Sequence, residues 1–501
     1  MALTLINTRA QLGISAPRVR VEVHISNGLP AFTVVGLPET VVREARDRVR
    51  SAILNSGFEF PARRITVNLA PADLPKEGGR YDLPIALGIL SASRQIDITT
   101  LKEVDCYGEL ALGGECRKVN GLLPALISSK QSHYSAIVPI DNRAEASLVK
   151  DMKISIADSL TAVCRSLNGG DELPGVEFIN HQNWHNNGLD LADVYGQQQA
   201  KRALSIAAAG GHHMLMMGPP GTGKSMLAQR INSILPDMNE SEAMSSASIR
   251  SICNLPVNPE NWLQRPFQSP HHSVSSVALA GGGSNPKPGE ISLAHNGILF
   301  LDELTEFDRR SIEVLREPLE TGQIHISRAR RQAIYPARFQ LVAAMNPCPG
   351  GCESIQRCEC APDQLRRYRH KLSAPLLDRI DIQIELARLS NDELMTRNRP
   401  PGENSASARA LVASAREQQQ TRQNCLNSQL SPTELEKYCV LDTASKQLLK
   451  VSIEKLRLSA RSYHKLLKLA RTIADLSTSE AIEQAHIAEA ICYRLHQGFR
   501  A

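Results

Sequence analysis

The 501-residue chain has few aromatic residues and little net charge. Phe, Trp and Tyr make up 4% of it, so we expect cores built from aliphatic side chains and long helices. It contains no apolar run near the roughly 18 residues of a membrane span and no leader-like N-terminus, which predicts a cytoplasmic protein. The net charge of +5 is too small to indicate nucleic-acid binding by itself, so any basic surface has to be local.

Disulfides are not expected, because thiols stay reduced in the cytoplasm. The eleven cysteines are therefore thiols or metal ligands. Four of them fall within 13 residues, namely Cys348, Cys352, Cys358 and Cys360. Four thiolates can ligate Zn²⁺, and the glycines in the first gap let a loop wrap around it. The spacing is not a common one, so unmetallated thiols remain the alternative.

Residues 218–225 match the phosphate-binding loop G-x-x-x-x-G-K-S without a mismatch. They read Gly218, Pro219, Pro220, Gly221, Thr222, Gly223, Lys224 and Ser225. An apolar strand pattern precedes them and a helical pattern follows, as this motif requires. Backbone N–H groups of such a loop cradle phosphate oxygens, Lys224 reaches the β- and γ-phosphates, and Ser225 binds Mg²⁺. The chain is predicted to bind ATP or GTP.

A second motif predicts hydrolysis. The apolar run of residues 298–301 ends in Asp302 and Glu303. A buried parallel strand places such carboxylates at the carboxyl edge of its sheet, where ligands of α/β proteins bind. Asp302 would hold Mg²⁺ and Glu303 would polarise the attacking water. An ordinary acidic turn is the alternative, and the phosphate-binding loop earlier in the chain favours the catalytic interpretation.

Patterning divides the chain into four parts. Strand-like alternation with intervening helices predicts an α+β domain, a polar stretch predicts a linker, alternating strands and helices predict a doubly wound α/β domain, and helical patterns fill the remainder. The predicted α+β domain covers residues 1–167, the linker 168–189, the doubly wound domain 190–390 and the helical part 391–501.

Three further stretches carry a family resemblance: residues 68–82, 376–381 and 459–464. With the nucleotide motifs they make the chain resemble the magnesium-chelatase-like AAA+ ATPases, and among these the ComM/YifB group, over essentially its whole length. The resemblance implies an AAA+ core with a C-terminal helical lid, a homo-hexameric ring, and ATP and Mg²⁺ as ligands. It also implies DNA branch migration in homologous recombination during natural transformation.

The same resemblance assigns three catalytic roles. Asn346 ends an apolar strand and resembles sensor 1, which orients the lytic water beside Glu303. Arg379 resembles the arginine finger, which reaches the γ-phosphate bound by a neighbouring subunit. Arg461 begins a helix and resembles sensor 2. A surface ion pair with an adjacent aspartate is the alternative for Arg379, and a solvated helix start is the alternative for Arg461.

Gln197 follows Tyr195 and Gly196 at the distance from the first strand where AAA+ proteins contact adenine. This position favours ATP over GTP.

The first domain resembles the Lon protease fold without its chemistry. Lon-like enzymes carry a nucleophilic serine in the turn that corresponds to residues 76–82, and Arg80 stands at that position. Residues 122–125, where the partner lysine belongs, contain none. Because a Ser–Lys dyad needs both members, we expect a non-proteolytic scaffold or a docking module for a partner protein.

Two inserts are candidates for DNA contact. Residues 321–339 predict a β-hairpin with Arg328, Arg330 and Arg331 at its tip. In AAA+ motors with this insert the hairpin enters the pore, where six copies would suit the phosphates of single-stranded and branched DNA. A solvated basic turn is the alternative. Residues 271–283 predict a second pore loop with a flexible glycine tip.

The second insert also contains His271 and His272, which invite a metal interpretation. We expect adjacent side chains to diverge and therefore predict a structural role. The insert lacks the aromatic tip of polypeptide-threading rings, which disfavours protein remodelling.

The sequence therefore predicts an ATP-driven DNA motor, with two rivals. A motor subunit for metal insertion into a tetrapyrrole shares the nucleotide core, but the Lon-like domain and the arginine-tipped hairpin disfavour it. An ATP-switched scaffold is disfavoured, because the residues expected to hydrolyse ATP are present.

Overall fold

The computed structural model describes residues 2–36, 40–178, 188–283, 286–328, 331–352, 358–388, 404–456 and 459–494. These residues form a mixed sheet with helices, a parallel sheet with helices, and a C-terminal set of helices. The predicted α/β class is confirmed, whereas the Lon-like assignment of the first part stays a prediction. Among the described helices, none combines the length and the apolar character that crossing a membrane demands.

The first sheet has seven strands and mixed direction. Its order is β3-β4-β2-β1-β5-β8-β9, with β1/β2 and β2/β4 antiparallel and the other pairs parallel. The strands of this part are β1 (Ala2–Arg9), β2 (Arg18–Ser26), β3 (Ala31–Val35), β4 (Arg64–Ala70), β5 (Val104–Cys106), the short pair β6 (Glu109–Leu110) and β7 (Cys116–Arg117), β8 (Ser135–Pro139) and β9 (Ile154–Ala157). The helices are α1 (Thr40–Asn55), α2 (Asp82–Ala92), α3 (Leu122–Gln131), α4 (Arg143–Ala146) and α5 (Leu160–Leu167).

The core of this part lies between the sheet and α2. Val19, Val21 and Val23 alternate with more exposed residues along β2 and are fully buried, as expected for a half-buried strand. They share a cluster with the apolar residues of α2, such as Leu87. Helices α1, α2 and α3 lie between the strands in chain order, as the predicted α+β pattern of this part requires.

The segment predicted as a linker begins by extending this sheet. Ile156 N donates to Pro174 O at 2.8 Å, and Val176 N donates to Ile154 O at 3.0 Å. The chain after α5 therefore runs along β9 before it leaves the first part, a pairing that the polar composition of the segment does not predict.

The second sheet has five parallel strands in the order β11-β14-β17-β10-β18. They are β10 (Met214–Met217), β11 (Phe267–Gln268), β14 (Ile298–Leu301), β17 (Gln340–Met345) and β18 (Ile382–Glu385). Every residue of β10, β14 and β17 is buried, which explains why all of them except Gln340 are apolar. Because the strands are parallel, the residues that follow β10, β14 and β17 meet at one edge.

Nine helices and two hairpins of the described chain surround this sheet. The helices are α6 (Gln198–Gly210), α7 (Lys224–Ile234), α8 (Glu240–Ile252), α9 (Ser276–Ala280), α10 (Glu290–Leu293), α11 (Arg309–Glu313), α12 (Pro318–Thr321), α13 (Pro362–His370) and α14 (Ala374–Leu377). The hairpins are β12 (Gly281–Gly282) with β13 (Lys287–Pro288), and β15 (Gln323–Arg328) with β16 (Arg331–Pro336).

The C-terminal helices pack on α6 and share one core with the second sheet. They are α15 (Ser405–Gln423), α16 (Pro432–Tyr438), α17 (Thr443–Leu456), α18 (Ala460–Leu476) and α19 (Gln484–Cys492). Leu469 and Ile473 of α18 belong to the same buried cluster as Ala207 of α6 and Met216 of β10. The predicted helical remainder is therefore joined to the nucleotide-binding core by apolar packing.

The first part packs against α8 of the second. Gly121 N donates to Ser251 O at 3.0 Å, and Ser251 Oγ donates to Glu145 Oε2 at 2.9 Å. Trp262 lies in the same buried cluster as Leu122 of α3. The first and second parts therefore contact each other through apolar packing and through hydrogen bonds.

Candidate active site

The loop between β10 and α7 has the backbone of a phosphate cradle. Gly221 and Gly223 have φ of +82° and +87°, in the left-handed region that glycine adopts without strain. Gly218 N donates to Met345 O at 3.2 Å, and a Cβ on Gly218 would lie 2.6 Å from Leu386 O. Glycine is therefore required by conformation at two positions and by close backbone approach at the third.

Lys224 folds back over this loop. Its Nζ donates to Gly218 O at 2.6 Å, to Pro219 O at 2.9 Å and to Asn346 Oδ1 at 3.2 Å. Burial lowers the pKa of Lys224, while the charges of Asp302 and Glu303 oppose that shift. The ammonium is thus held among oxygen atoms at the edge of the sheet.

Ser225 and Asp302 meet although 77 positions separate them. Ser225 Oγ donates to Asp302 Oδ2 at 2.5 Å, and Asp302 Oδ1 accepts from Glu303 N at 2.9 Å. A hydroxyl and a carboxylate side by side are oxygen ligands of the kind Mg²⁺ prefers. The two residues predicted to bind Mg²⁺ are therefore brought together, and they fit that ion.

Glu303 has an unusual backbone and an unpredicted neighbour. Its φ of +50° and ψ of +49° are left-handed, a conformation that non-glycine residues adopt at a cost. His272 Nδ1 lies 3.5 Å from Glu303 Oε2. No signal in the sequence pointed to this pairing, because His272 belongs to an insert before β14.

The expectation that the two histidine side chains diverge is wrong. The rings of His271 and His272 are 4.0 Å apart and tilted by 34°. They lie in a turn between β11 and α9, so the alternation of a regular strand does not separate them. In the described chain the one group of three or more side chains placed to hold a metal is the cysteine cluster, so the structure offers no support for metal binding by the histidines.

Asn346 is tied to the Glu303 segment by a tyrosine. Tyr368 Oη donates to Asn346 O at 2.9 Å and accepts from Thr305 Oγ1 at 2.7 Å. Thr305 follows Glu303 by two residues, so one phenol bridges the two segments that carry the predicted water-positioning side chains. Burial raises the pKa of Tyr368 to about 12, so its hydroxyl stays protonated near neutral pH. Sequence reasoning missed this residue.

The two predicted catalytic arginines share one carboxylate. Arg379 Nη2 lies 2.5 Å from Glu320 Oε1, and Arg461 Nη2 contacts the same oxygen. Arg379 Nη1 also donates to Pro375 O at 2.6 Å. Arg379 and Arg461 are therefore brought together, through Glu320, which the sequence did not indicate.

The predicted adenine-contacting residue lies at the end of β18. Gln197 Nε2 donates to Ala387 O at 2.8 Å, and the residue has φ of +50°. This bond fixes the segment before α6 to the chain that leaves the sheet.

The predicted arginine-tipped hairpin forms. Strands β15 and β16 pair antiparallel from Gln323 with Pro336 to Arg328 with Arg331. Arg330 lies outside the described residues, and for Arg328 and Arg331 the backbone alone is described. The hairpin also contacts the segment that follows the other insert, because Tyr335 Oη donates to Pro286 O at 2.6 Å.

The four clustered cysteines converge beside the phosphate-binding loop. The Sγ atoms of Cys348, Cys352, Cys358 and Cys360 all lie within 4.8 Å of one another. Tetrahedral Zn²⁺ with bonds of about 2.3 Å would place its sulfurs about 3.8 Å apart, so this donor set fits zinc. Cys352 N donates to Cys348 Sγ at 3.2 Å, and an N–H bond from Glu359 lowers the pKa of Cys352.

Two glycines fix the place of this cluster. A Cβ on Gly350 would lie 2.9 Å from Cys360 Sγ, so the loop passes close to the sulfurs. A Cβ on Gly351 would lie 3.0 Å from Pro220 Cδ, so the cysteine loop packs directly on the phosphate-binding loop.

Arg80, the residue that the sequence resemblance aligned with the Lon nucleophile, is buried. Its guanidinium donates to Arg9 O at 3.4 Å and Gln11 Oε1 at 3.2 Å, and also to Asn120 O. Burial lowers the pKa of Arg80, and these acceptors satisfy it. The side chain therefore braces the first part rather than presenting a reactive group.

Three family models match the chain. Residues 190–394 match the one described as magnesium chelatase, subunit ChlI; residues 21–142 match subunit ChlI of Mg-chelatase; and residues 402–494 match the ChlI C-terminal model. Together the three matches span all three structural parts.

Full-length relatives are also found. The protein YifB of Escherichia coli is 51% identical over 497 residues, covering 99% of this chain and 97% of the relative. The competence protein ComM of Haemophilus influenzae is 51% identical over 498 residues, covering 99% and 98%. The magnesium-chelatase 67 kDa subunit of Heliobacterium mobile is 26% identical over 200 residues, covering 33% and 29%.

Proposed function

Because the chain belongs to the magnesium-chelatase-like ComM/YifB family of AAA+-type proteins, we propose that it is an ATP-driven hexameric DNA motor. The activity proposed for it is that of a branch-migration helicase in homologous recombination during natural transformation. The name of the Haemophilus relative, a competence protein, supports this role.

The observation that carries the ATPase part is the meeting of Lys224, Ser225, Asp302, Glu303 and Asn346 at one sheet edge. Lys224 would exchange its loop carbonyls for the β- and γ-phosphate oxygens. Ser225 and Asp302 would hold Mg²⁺, which when bound neutralises charge on the phosphates. Glu303 would accept a proton from the attacking water, and Asn346 would orient that water.

The arginine pair supports the hexamer. Arg379 and Arg461 lie beside one carboxylate, as a pair suited to an anion. A guanidinium is planar, permanently charged and able to bind two oxygens at once, so the pair would stabilise the γ-phosphate of the next subunit in a ring.

The DNA part rests on the hairpin of β15 and β16. Its strand pairing continues to Arg328 and Arg331, the two residues that flank the turn. Six such turns around a pore would bind phosphates without reading bases. The first part, with Arg80 committed to internal hydrogen bonds, would serve as a non-proteolytic scaffold or partner-docking domain.

We also propose a structural zinc ion at the cysteine cluster. Its four sulfurs would fill the coordination sphere, so no open position is left for catalysis. The ion would stabilise the loop that follows Asn346 and packs on Pro220.

A chelatase motor subunit is the second candidate, since the Heliobacterium relative carries that name. It matches only 33% of this chain, whereas the ComM relative matches 99% at higher identity. The DNA motor is therefore favoured. An ATP-switched scaffold would need no water-positioning residues and is not favoured by the site.

The test compares ATP turnover and DNA binding in a variant with Arg328, Arg330 and Arg331 replaced by alanine. The matched control replaces three exposed arginines of the first part, namely Arg63, Arg64 and Arg117. We expect the hairpin variant to keep its basal ATPase and to lose DNA stimulation and branch migration. Its log–log salt slope should fall by about 0.7 to 0.9 per lost phosphate contact.

The control triple should behave like the unmodified protein. Migration of branched DNA at an unchanged rate by the hairpin variant, with no response of either ATPase to DNA, would refute the DNA motor.

A further inference from the structure

Glu320 is the shared partner of the two arginines proposed to act on a neighbour's phosphate. Arg379 Nη2 lies 2.5 Å from its Oε1, and Arg461 Nη2 binds that same atom. The side chain of Arg379 is 10% exposed, whereas those of Glu320 and Arg461 are 42% and 51% exposed. The side chain of Arg379 is thus largely buried, and the Glu320 carboxylate that it contacts is partly exposed to solvent.

The Glu320 carboxylate lies where an anion bound by both arginines would lie. Arg461 lies in the first turn of α18, where the helix macrodipole disfavours a positive charge. Arg379 and Arg461 also repel each other, so the pair needs a negative partner. Hydrogen bonds from Arg379 and then Arg461 lower the pKa of Glu320, so it is ionised near neutral pH. A phosphate oxygen could bind the pair only by competing with Glu320.

Glu320 is also attached to the base of the arginine-tipped hairpin. It lies in α12, and β15 begins three residues later at Gln323. Thr321 Oγ1 donates to Glu317 O at 3.0 Å and to Gln323 O at 3.1 Å, while Ala337 N donates to Gly322 O at 2.8 Å. These bonds join α12 and the glycine after it to β15 and to the residue that follows β16, so a displacement of the hairpin would be transmitted to Glu320.

We propose that Glu320 is a positioning residue that holds Arg379 and Arg461 away from the neighbouring γ-phosphate until DNA displaces the hairpin. This inference rests on the proposed function, because it needs both the trans-acting arginines and the DNA-binding hairpin. It adds the physical connection between them: one carboxylate that lies on α12, at the base of the hairpin, and that pairs with both arginines.

The experiment measures steady-state ATPase of the full chain with and without single-stranded and branched DNA for Glu320→Gln. The amide keeps the shape but removes the charge, so it holds the arginines less strongly and they leave it more readily without DNA. We expect DNA-free turnover to rise by about fivefold or more, the lower end of coupling between linked sites, and DNA to add little further. DNA affinity should stay unchanged, because the hairpin tip is intact.

Three further variants make the result specific. Glu317→Gln removes the same charge from the residue just before α12, where the carboxylate lies 3.9 Å from His325 and not at the arginine pair. It should keep normal DNA stimulation. Glu320→Asp, which restores the charge, should return the basal rate toward that of the unmodified protein. Adding Arg379→Ala to Glu320→Gln should abolish the raised rate.

The outcomes separate the two proposals. An unmodified protein that neither hydrolyses ATP nor responds to DNA refutes the DNA motor and this inference together. An unmodified protein with DNA-stimulated turnover, whose Glu320→Gln variant keeps the normal basal rate and the normal stimulation, refutes the role of Glu320 alone. Because Glu320 is exposed, unchanged thermal unfolding of the variant is expected and confirms that it folds.

Discussion

Tyr368→Phe tests whether the phenol that bridges Asn346 and Thr305 positions the catalytic residues. The change removes one oxygen and leaves the ring in place, so it creates no large cavity. It deletes the bonds of 2.9 Å to Asn346 O and 2.7 Å from Thr305 Oγ1. Thr305 is 1% exposed, so water does not readily replace its lost partner.

The stability cost follows from these two bonds. A buried hydrogen bond contributes about 1 kcal/mol net, and a group left without a partner costs about 1 to 3 kcal/mol. We therefore expect the variant to lose about 2 kcal/mol of unfolding free energy. The catalytic cost is larger, because a displacement of about 1 Å in a positioned group can reduce turnover about 100-fold. Asn346 and Glu303 are the groups that the bridge positions.

The assay combines denaturant unfolding with steady-state ATPase and nucleotide binding. We expect kcat to fall by about 10- to 100-fold while nucleotide affinity changes little, because the hydroxyl of Tyr368 bonds to Asn346 and Thr305, which lie outside the phosphate-binding loop. Thr305→Val is the matched control: it removes one of the two bonds but leaves the bond to Asn346, so it should cost stability with a smaller loss of kcat. Tyr368→Phe with an unchanged kcat would refute the bridging argument.

Four further predictions concern single residues. Glu303→Gln should bind ATP but lose turnover by about 100-fold or more, because an amide cannot accept the proton of water; equal ATPase activity in steady-state assays would contradict this role. Arg379→Ala should bind ATP yet be inactive alone, and mixing it with Lys224→Ala subunits should restore some turnover. No recovery in the mixture would indicate that Arg379 and Lys224 act within one subunit. Elemental analysis should find about one zinc per chain, with less in Cys358→Ser, whereas fully stable metal-free protein would contradict the site. Burial lowers the pKa of His295 to about 4, below the unfolded value of about 6.5, so the unfolded state binds the extra proton and stability falls with pH below 6.5. The loss should reach about 2 kcal/mol at pH 5 in denaturant titrations and should shrink in His295→Gln.

The sequence predicted the parts of the site whose signals are local. The phosphate-binding loop is one contiguous segment, and uninterrupted apolar runs, residues 298–301 and 341–345, come directly before Asp302 and Asn346. The hairpin was predictable because alternation on both sides of a short turn is also a local pattern. In each case neighbouring residues determine the conformation, so the pattern carries the information.

The partners of those residues were not predictable, since they come from distant segments. His272 lies in an insert, Glu320 in a short helix and Tyr368 in a basic helix. Nothing in the sequence around them indicates that they contact the site. Their roles depend on tertiary distances of 3.5 Å or less to Glu303, to the arginine pair and to Asn346. The same reason explains why adjacency misled the interpretation of the two histidines.

One such long-range contact constrains how the C-terminal helices contribute to catalysis. Lys465 Nζ of α18 lies 2.7 Å from Asp381 Oδ1, and these side chains are 15% and 9% exposed. Despite its burial, the pKa of Asp381 is held well below its usual value, chiefly by the charge of Lys465 and also by His212, whose Nδ1 lies 3.5 Å from Asp381 Oδ2. Breaking a buried pair leaves an uncompensated charge, which is costly, so α18 stays fixed to the strand that begins beside Asp381. Arg461 lies one helical turn before Lys465, and Arg379 lies two residues before Asp381. This buried pair therefore anchors the segments that carry Arg461 and Arg379 to each other, beside the carboxylate that both arginines contact.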